Sequence, residues 1–115
     1  QFYHRHLCRT DPWPDEVNAT FAALNVDCYT AMWGPNEFTC TGVLRGYDGR
    51  PDLPKISVPT LLTCGAHDEA TPHSTTAFGS LIPNATVEVF NNSSHMAFVE
   101  ERAQYIQCLR GFLAV

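Results

Sequence analysis

The sequence predicts an α/β fold in which parallel strands carry flanking helices, and three observations support this prediction. Residues 58–64 form an apolar, β-branched run without polar alternation, which is typical of a strand buried on both faces of a parallel sheet. Residues 73–82 then have the character of a helix, and residues 86–90 form a second short strand. Asp68 and His95 each lie just past the carboxyl end of one strand, which is the edge where open α/β sheets place their active sites.

The segment before the first strand reads as mainly helical. Residues 2–9 resemble the end of a helix with basic residues at its carboxyl end, and residues 10–14 form a rigid connector because they contain two prolines. Residues 15–24 predict a helix from the spacing of Val17, Phe21 and Leu24. Residues 26–32 show no clean period, and residues 42–52 form a polar, glycine-rich loop.

The segment from the first strand onward predicts alternating strands and helices. Residues 65–72 form a polar loop whose Thr71-Pro72 pair caps and opens the helix over residues 73–82. Residues 96–99 begin a further helix or turn. Residues 101–114 predict an amphipathic helix laid on the sheet, because their apolar side chains recur with a helical period.

The order and spacing of Asp68 and His95 suggest a catalytic pair. His95 follows Asp68 by 27 residues, with one helix and one strand between them. In serine hydrolases built on such sheets, the acid and the histidine follow the nucleophile and lie on loops after the last strands. Asp68 would fix the tautomer of His95, which would take a proton from a serine. On spacing alone, an equal alternative is that Asp68 caps the following helix and His95 is a polar loop residue.

Several motifs resemble those of proline iminopeptidases, which are α/β-hydrolases. The residues that carry the resemblance are Gly-Ala-His-Asp-Glu-Ala-Thr-Pro at 65–72, Ile-Pro-Asn-Ala at 82–85, Ser-His at 94–95 followed by Glu100, and Gly-Pro-Asn-Glu-Phe at 34–38. With weaker matches at 3–14 and 42–48, the resemblance covers nearly the whole chain. It implies the C-terminal portion of an α/β-hydrolase fold, with its last parallel strands and flanking helices, preceded by part of a helical cap. We place the cap in residues 1–50 and the core in residues 51–115.

The resemblance also implies how a substrate would bind. In the resembled family, a cap glutamate and the glutamate after the triad aspartate face the free amino group of the substrate, and the matching positions here are Glu37 and Glu69. Carboxylates bind an ammonium through charge-assisted hydrogen bonds worth roughly 1.5–3 kcal/mol each. The expected partner is therefore a peptide or an amino-acid amide with a free N-terminus, with proline preferred. From the residues alone, Glu37 is equally well a surface carboxylate near a turn.

The 115 residues contain no serine in the setting that a nucleophile requires. None of the serines lies in a Gly-x-Ser-x-Gly motif between a strand and a helix, and no glycine-rich loop would form an oxyanion hole. The chain also begins with Gln1. We therefore expect a C-terminal fragment or processed chain that is inactive alone and whose partner is an N-terminal half carrying the serine. Two alternatives stay open: an α/β-hydrolase acting on another ester or amide, and a non-catalytic remnant that serves as a binding module.

Composition excludes several other classes of function. The net charge is −5, from 12 acidic and 7 basic residues without a basic run, which argues against nucleic-acid or membrane binding. No apolar stretch approaches the roughly 18 residues of a membrane span. His4, His6 and Cys8 alternate but lack a fourth ligand for zinc, so we predict no metal and no cofactor. We expect a cytoplasmic protein, although its Asn-x-Ser/Thr sequons would matter if the chain were secreted.

Overall fold

The computed structural model describes residues 1–114 and shows two compact units. One unit combines residues 1–12 with the chain from Arg50 onward, and the other is Trp13–Gly49. Residues 1–12, which the sequence assigns to the cap, therefore lie with the later segment. The physical reason is a set of backbone hydrogen bonds: the carbonyl oxygen of His6 accepts from the N–H of His95, and that of Leu7 accepts from the N–H of Met96. The role of Trp13–Gly49 as a cap stays a prediction.

The alternation of strands and helices predicted from residue 58 onward is confirmed, whereas two of the helices before it were not predicted. In chain order the elements are α1 (Tyr3–His6), α2 (Asp15–Ala22), α3 (Val26–Met32), a 3₁₀ helix (Arg50–Lys55), β1 (Thr60–Gly65), α4 (Pro72–Gly79), β2 (Ala85–Phe90), α5 (Ala97–Glu100) and α6 (Arg102–Leu113). The predicted start of α4 is confirmed, because the Thr71 side chain accepts from the N–H of Ser74 and Pro72 is the first helical residue. Within residues 1–114, no helix has the length and apolar character needed to cross a membrane.

Helix α3 lies where the sequence shows no clear period. Its start is explained by Asn25, whose side-chain oxygen accepts from the N–H of Cys28 at 2.9 Å. None of the residues of α3 is fully buried. A helix that buries no complete face needs no apolar stripe, so periodicity could not reveal it.

Strands β1 and β2 pair in parallel, with Thr60 opposite Ala85 and Gly65 opposite Phe90. Helix α4 connects them, as expected for a crossover between parallel strands. The prediction that β1 is buried on both faces is wrong, because only its last two residues are buried. Over the described residues the sheet has just two strands, and alternate residues of β2 face solvent. A narrow sheet with one open face leaves most of β1 partly accessible.

The parallel ladder continues beyond the strands into the two loops that carry Asp68 and His95. The N–H of Ala66 donates to the carbonyl oxygen of Phe90 at 2.9 Å, and the N–H of His67 donates to that of Ser93 at 3.0 Å. Phe90 is buried and its ring lies 5.4 Å from the ring of Tyr105 on α6. The packed end of this sheet is therefore its carboxyl end, and it holds the two loops side by side.

Candidate active site

The structure brings Asp68 and His95 into direct contact. Nδ1 of His95 lies 3.0 Å from Oδ1 of Asp68. The side chain of Asp68 is 3% exposed and that of His95 is 48% exposed. The predicted pairing of the two side chains is thus confirmed, and it joins a buried acid to an imidazole that remains open to solvent.

The carboxylate of Asp68 is oriented by its own loop. Oδ1 also accepts from the N–H of Ala70 at 2.8 Å, and Oδ2 accepts from the N–H of Gly65 at 3.4 Å. The alternative in which Asp68 caps the following helix is wrong, because Thr71 occupies the N-cap position of α4. The loop instead holds one carboxylate oxygen towards His95.

This contact determines which nitrogen of His95 can act as a base. An ionised carboxylate has only acceptor positions, so Nδ1 must carry the hydrogen that lies between the two side chains. In a neutral imidazole, Nε2 then has a free lone pair. The pair can therefore accept a proton from a hydroxyl group placed at Nε2.

Two carboxylates from the following segment hold the loop that carries His95. Glu100 accepts from the N–H of Ser94 at 2.9 Å and from its hydroxyl at 2.8 Å. Glu101 accepts from the hydroxyl of Ser93 at 2.5 Å and from the N–H of Asn92 at 2.9 Å. The Ser93 hydrogen bond is the main reason that the pKa of Glu101 lies below its usual value. Both serines are fully buried, so these contacts anchor the loop from inside.

The sequence analysis assigned no role to Glu101 and none to Glu100 beyond the motif. Two adjacent acids just before a helix are the only local signal, and this signal normally indicates a favourable interaction with the helix dipole. Their actual partners precede them in the chain and lie in a loop without a period. Sequence patterns of helices and strands therefore could not reveal the anchors.

Gly65 permits the close approach of the two loops. A Cβ atom at this position would overlap the backbone carbonyl oxygens of Ser93 and Ser94. Any larger residue would push the loop of His95 away from the end of β1. Glycine is thus required by the backbone contact and not by a turn conformation.

Helix α1 supplies a further support that the sequence did not reveal. The carbonyl oxygen of His6 accepts from the N–H of Glu69 at 3.4 Å and from the N–H of His95 at 3.1 Å. One backbone oxygen therefore joins both loops of the site. Cys8 is fully buried with its sulfur 3.1 Å from the hydroxyl of Thr10, and the part of the chain that the structure describes contains no metal-binding group of three or more His, Cys, Asp or Glu.

The two predicted amine-binding glutamates lie in different units. Glu69 is half-buried on the loop of Asp68, so the structure groups Asp68, Glu69 and His95 together. Glu37 belongs to Trp13–Gly49, where its carbonyl oxygen accepts from the indole N–H of Trp33 at 3.3 Å. There it lines a largely apolar cavity of about 490 Å³. The pairing of Glu37 with Glu69 stays a prediction.

Comparison with known proteins agrees with this geometry. A family model described as alpha/beta hydrolase fold matches residues 12–102. The proline iminopeptidase of Heyndrickxia coagulans is 44% identical over 77% of this chain and 31% of its own length. The crystal structure of VinJ superposes with a TM-score of 0.91 at 43% identity, over 98% of this chain and 39% of that one. The proline iminopeptidase of Mycobacterium smegmatis superposes with a TM-score of 0.90 at 34% identity, over 98% and 38%.

The matched region has a defined place in these relatives. The chain spans about a third of the length of the curated relatives it matches, and it corresponds to their C-terminal part. The predicted fold class is confirmed by the family match and by both superpositions. The chain therefore belongs to the α/β-hydrolase fold family, within which it is similar to the C-terminal part of proline iminopeptidases.

Proposed function

We propose that this chain provides the acid, the base and the amine-binding carboxylates of a serine-dependent hydrolase. The reaction is removal of the N-terminal residue, with proline preferred, from peptides or amino-acid amides. The observation that carries the proposal is the 3.0 Å contact between buried Asp68 and half-exposed His95. The similarity to proline iminopeptidases supports the class of substrate.

In the proposed mechanism, Asp68 keeps the hydrogen on Nδ1 of His95. Nε2 takes the proton from a serine hydroxyl as its oxygen attacks the carbonyl carbon of the first peptide bond, and it later gives this proton to the leaving amine. We infer that the serine lies outside the 115 residues. The hydroxyls of Ser93 and Ser94, the serines nearest to His95 in the sequence, donate to Glu101 and Glu100 instead.

In the same proposal, Glu69 and Glu37 bind the ammonium of the substrate. Two carboxylates that share a site repel each other unless a cation lies between them, so a bound ammonium relieves that repulsion. A blocked N-terminus carries no charge and gains nothing from this site. The enzyme should therefore act only on substrates with a free amino group.

A fluorogenic prolyl amide assay tests the reaction. We expect no hydrolysis by this chain alone and clear hydrolysis when an N-terminal half from a proline iminopeptidase is joined to it. An acetylated prolyl amide should not be cleaved by the joined enzyme. Activity in the lone chain would show that the nucleophile has been assigned wrongly, and inactivity of a folded joined enzyme would contradict the proposed reaction.

Replacing Glu69 tests the amine site in the joined enzyme. The Glu69→Gln variant should raise KM for the prolyl amide by about tenfold to a hundredfold with a smaller change in kcat, because one charge-assisted hydrogen bond to the ammonium is lost. Glu88→Gln, which removes an exposed charge on β2, is the matched control and should leave KM unchanged. An unaltered KM in Glu69→Gln would remove this residue from the amine site.

A further inference from the structure

A separate cavity lies next to the loops of the candidate active site, between α1 and the residue that precedes Asp68. Its volume is about 450 Å³, within the size range of small-molecule sites. All of its lining residues carry a guanidinium or an imidazole, namely His4, Arg5, His6, Arg9 and His67. The chain as a whole has a net charge of −5 and only seven Lys and Arg residues and five His residues. Two of those seven side chains and three of those five histidines therefore line this one cavity.

The fold holds the imidazole of His6 and the backbone of His67 in place. Nδ1 of His6 lies 2.8 Å from the carbonyl oxygen of His67. Because a carbonyl oxygen can only accept, Nδ1 of His6 is the donor and its Nε2 points elsewhere. The ring of His6 also lies 4.8 Å from the ring of Phe2, and the N–H of His67 donates to Ser93. His6 is thus fixed by its ring and His67 by its backbone.

Two carboxylates on the adjoining loops, those of Glu100 and Asp68, are already hydrogen-bonded. Glu100 accepts from the backbone N–H of Arg9 at 2.8 Å with one oxygen, and its other oxygen accepts from Ser94. Asp68 accepts from Ala70 and His95. These charges are directed to donors inside the loops, whereas the lining of the cavity is formed by basic side chains.

We propose that this cavity binds a small oxyanion, either a carboxylate or a phosphate. Arg5 and Arg9 are exposed, and a guanidinium matches the geometry of two oxygens on one anion. The rings of His6 and His67 supply further N–H donors. A bound anion would also order α1, whose His6 carbonyl holds both Glu69 and His95. Binding to this cavity does not depend on the proposed hydrolase reaction.

The test is a titration of the chain at neutral pH, followed through the ring signals of its histidines by NMR. Three compounds are added separately, with ionic strength kept constant by sodium chloride: inorganic phosphate, N-acetylglycine and N-acetylglycinamide. We expect saturable shifts of the His6 and His67 signals with at least one of the two anions and none with the uncharged amide. The anion that binds more tightly distinguishes the phosphate from the carboxylate class.

Two pairs of variants distinguish anion binding in this cavity from a general attraction of anions to positive charge. Arg5→Gln with Arg9→Gln should weaken binding by about tenfold or more, because each guanidinium contributes charge-assisted hydrogen bonds. Arg102→Gln with Arg110→Gln makes the same change in net charge on α6 and should leave affinity within about twofold. Circular dichroism checks folding, and Arg5→Gln alone replaces the first pair if that pair unfolds. Absence of saturable shifts with both anions, or equal weakening in the two pairs, would overturn the proposal.

Discussion

At the residue scale, Gly65 shows how the absence of a side chain allows the two loops of the site to meet. The Gly65→Ala substitution should destabilise the chain by about 2 kcal/mol or more, because the added Cβ would overlap two carbonyl oxygens and overpacking is costly. Gly111→Ala is the matched control: nothing lies within 4 Å of its added Cβ, and alanine favours a helix by up to about 1 kcal/mol. Urea unfolding followed by circular dichroism measures both changes. Equal stability of the two variants would contradict the overlap.

Asp68 allows a second test at this scale. In Asp68→Asn, the amide can donate to Nδ1, so the hydrogen of His95 should move towards Nε2. Nitrogen NMR of the ring would show this change of tautomer in the chain itself. In the joined enzyme we expect kcat to fall by about 10³–10⁴-fold. The control Asp27→Asn removes an exposed carboxylate at the start of α3, and an unchanged His95 spectrum in Asp68→Asn would contradict the assignment.

At the scale of elements, the loop between β2 and α5 depends on the segment that follows it. The pKa of Glu101 is lowered, so its contribution to stability is present above the usual glutamate pKa of about 4.3 and is lost as the pH falls through the lowered pKa. Glu101→Gln should therefore cost about 1 kcal/mol at neutral pH and nothing in strong acid. Urea unfolding at several pH values would show the two curves converging.

The matched control for that experiment is Glu88→Gln, on the exposed face of β2. The free energy of unfolding of Glu88→Gln should differ little from that of the parent chain. This small difference should not disappear in acid as the difference for Glu101→Gln does. A constant difference between Glu101→Gln and the parent at all pH values would mean that the carboxylate charge does not hold the loop.

At the scale of the whole molecule, cysteines that differ in burial should differ in the reactivity of their thiols. Burial raises the pKa of the Cys64 thiol, the charge of Asp68 adds to this effect, and a hydrogen bond with Thr75 opposes it. Cys28 lies exposed on α3. Iodoacetamide labelling followed by mass spectrometry should therefore modify Cys28 well before Cys64, because the thiolate is the reactive form. Equal rates would show that the end of β1 opens readily.

The unfolded chain is the control for this comparison. In strong urea both thiols are exposed, so the two labelling rates should approach each other. A persistent difference there would point to an effect of neighbouring residues in the sequence, and burial would no longer explain the native pattern.

Much of the site could be predicted from local sequence, but its supports could not. Thr71-Pro72 predicted the start of α4, and the run ending at Cys64 and Gly65 predicted the strand before Asp68. The approach of the loops to α1 left no periodic signal in the sequence. The partial burial of β1, in which only the last two residues are buried, left none either. These features depend on partners such as Arg9 and Glu100, which lie 91 residues apart.

The sequence by itself determined the order of Asp68 and His95 and predicted the strands that precede them, and its motifs resemble those of α/β-hydrolases. The strands and helix starts follow from interactions between near neighbours in the chain, which apolar runs and caps record directly. Only the tertiary structure decided that Asp68 meets Nδ1 of His95, that Glu100 and Glu101 anchor the histidine loop, and that basic groups from α1 gather beside it. The physical reason is that hydrogen bonds and charges act through space, and folding alone brings distant residues within their range.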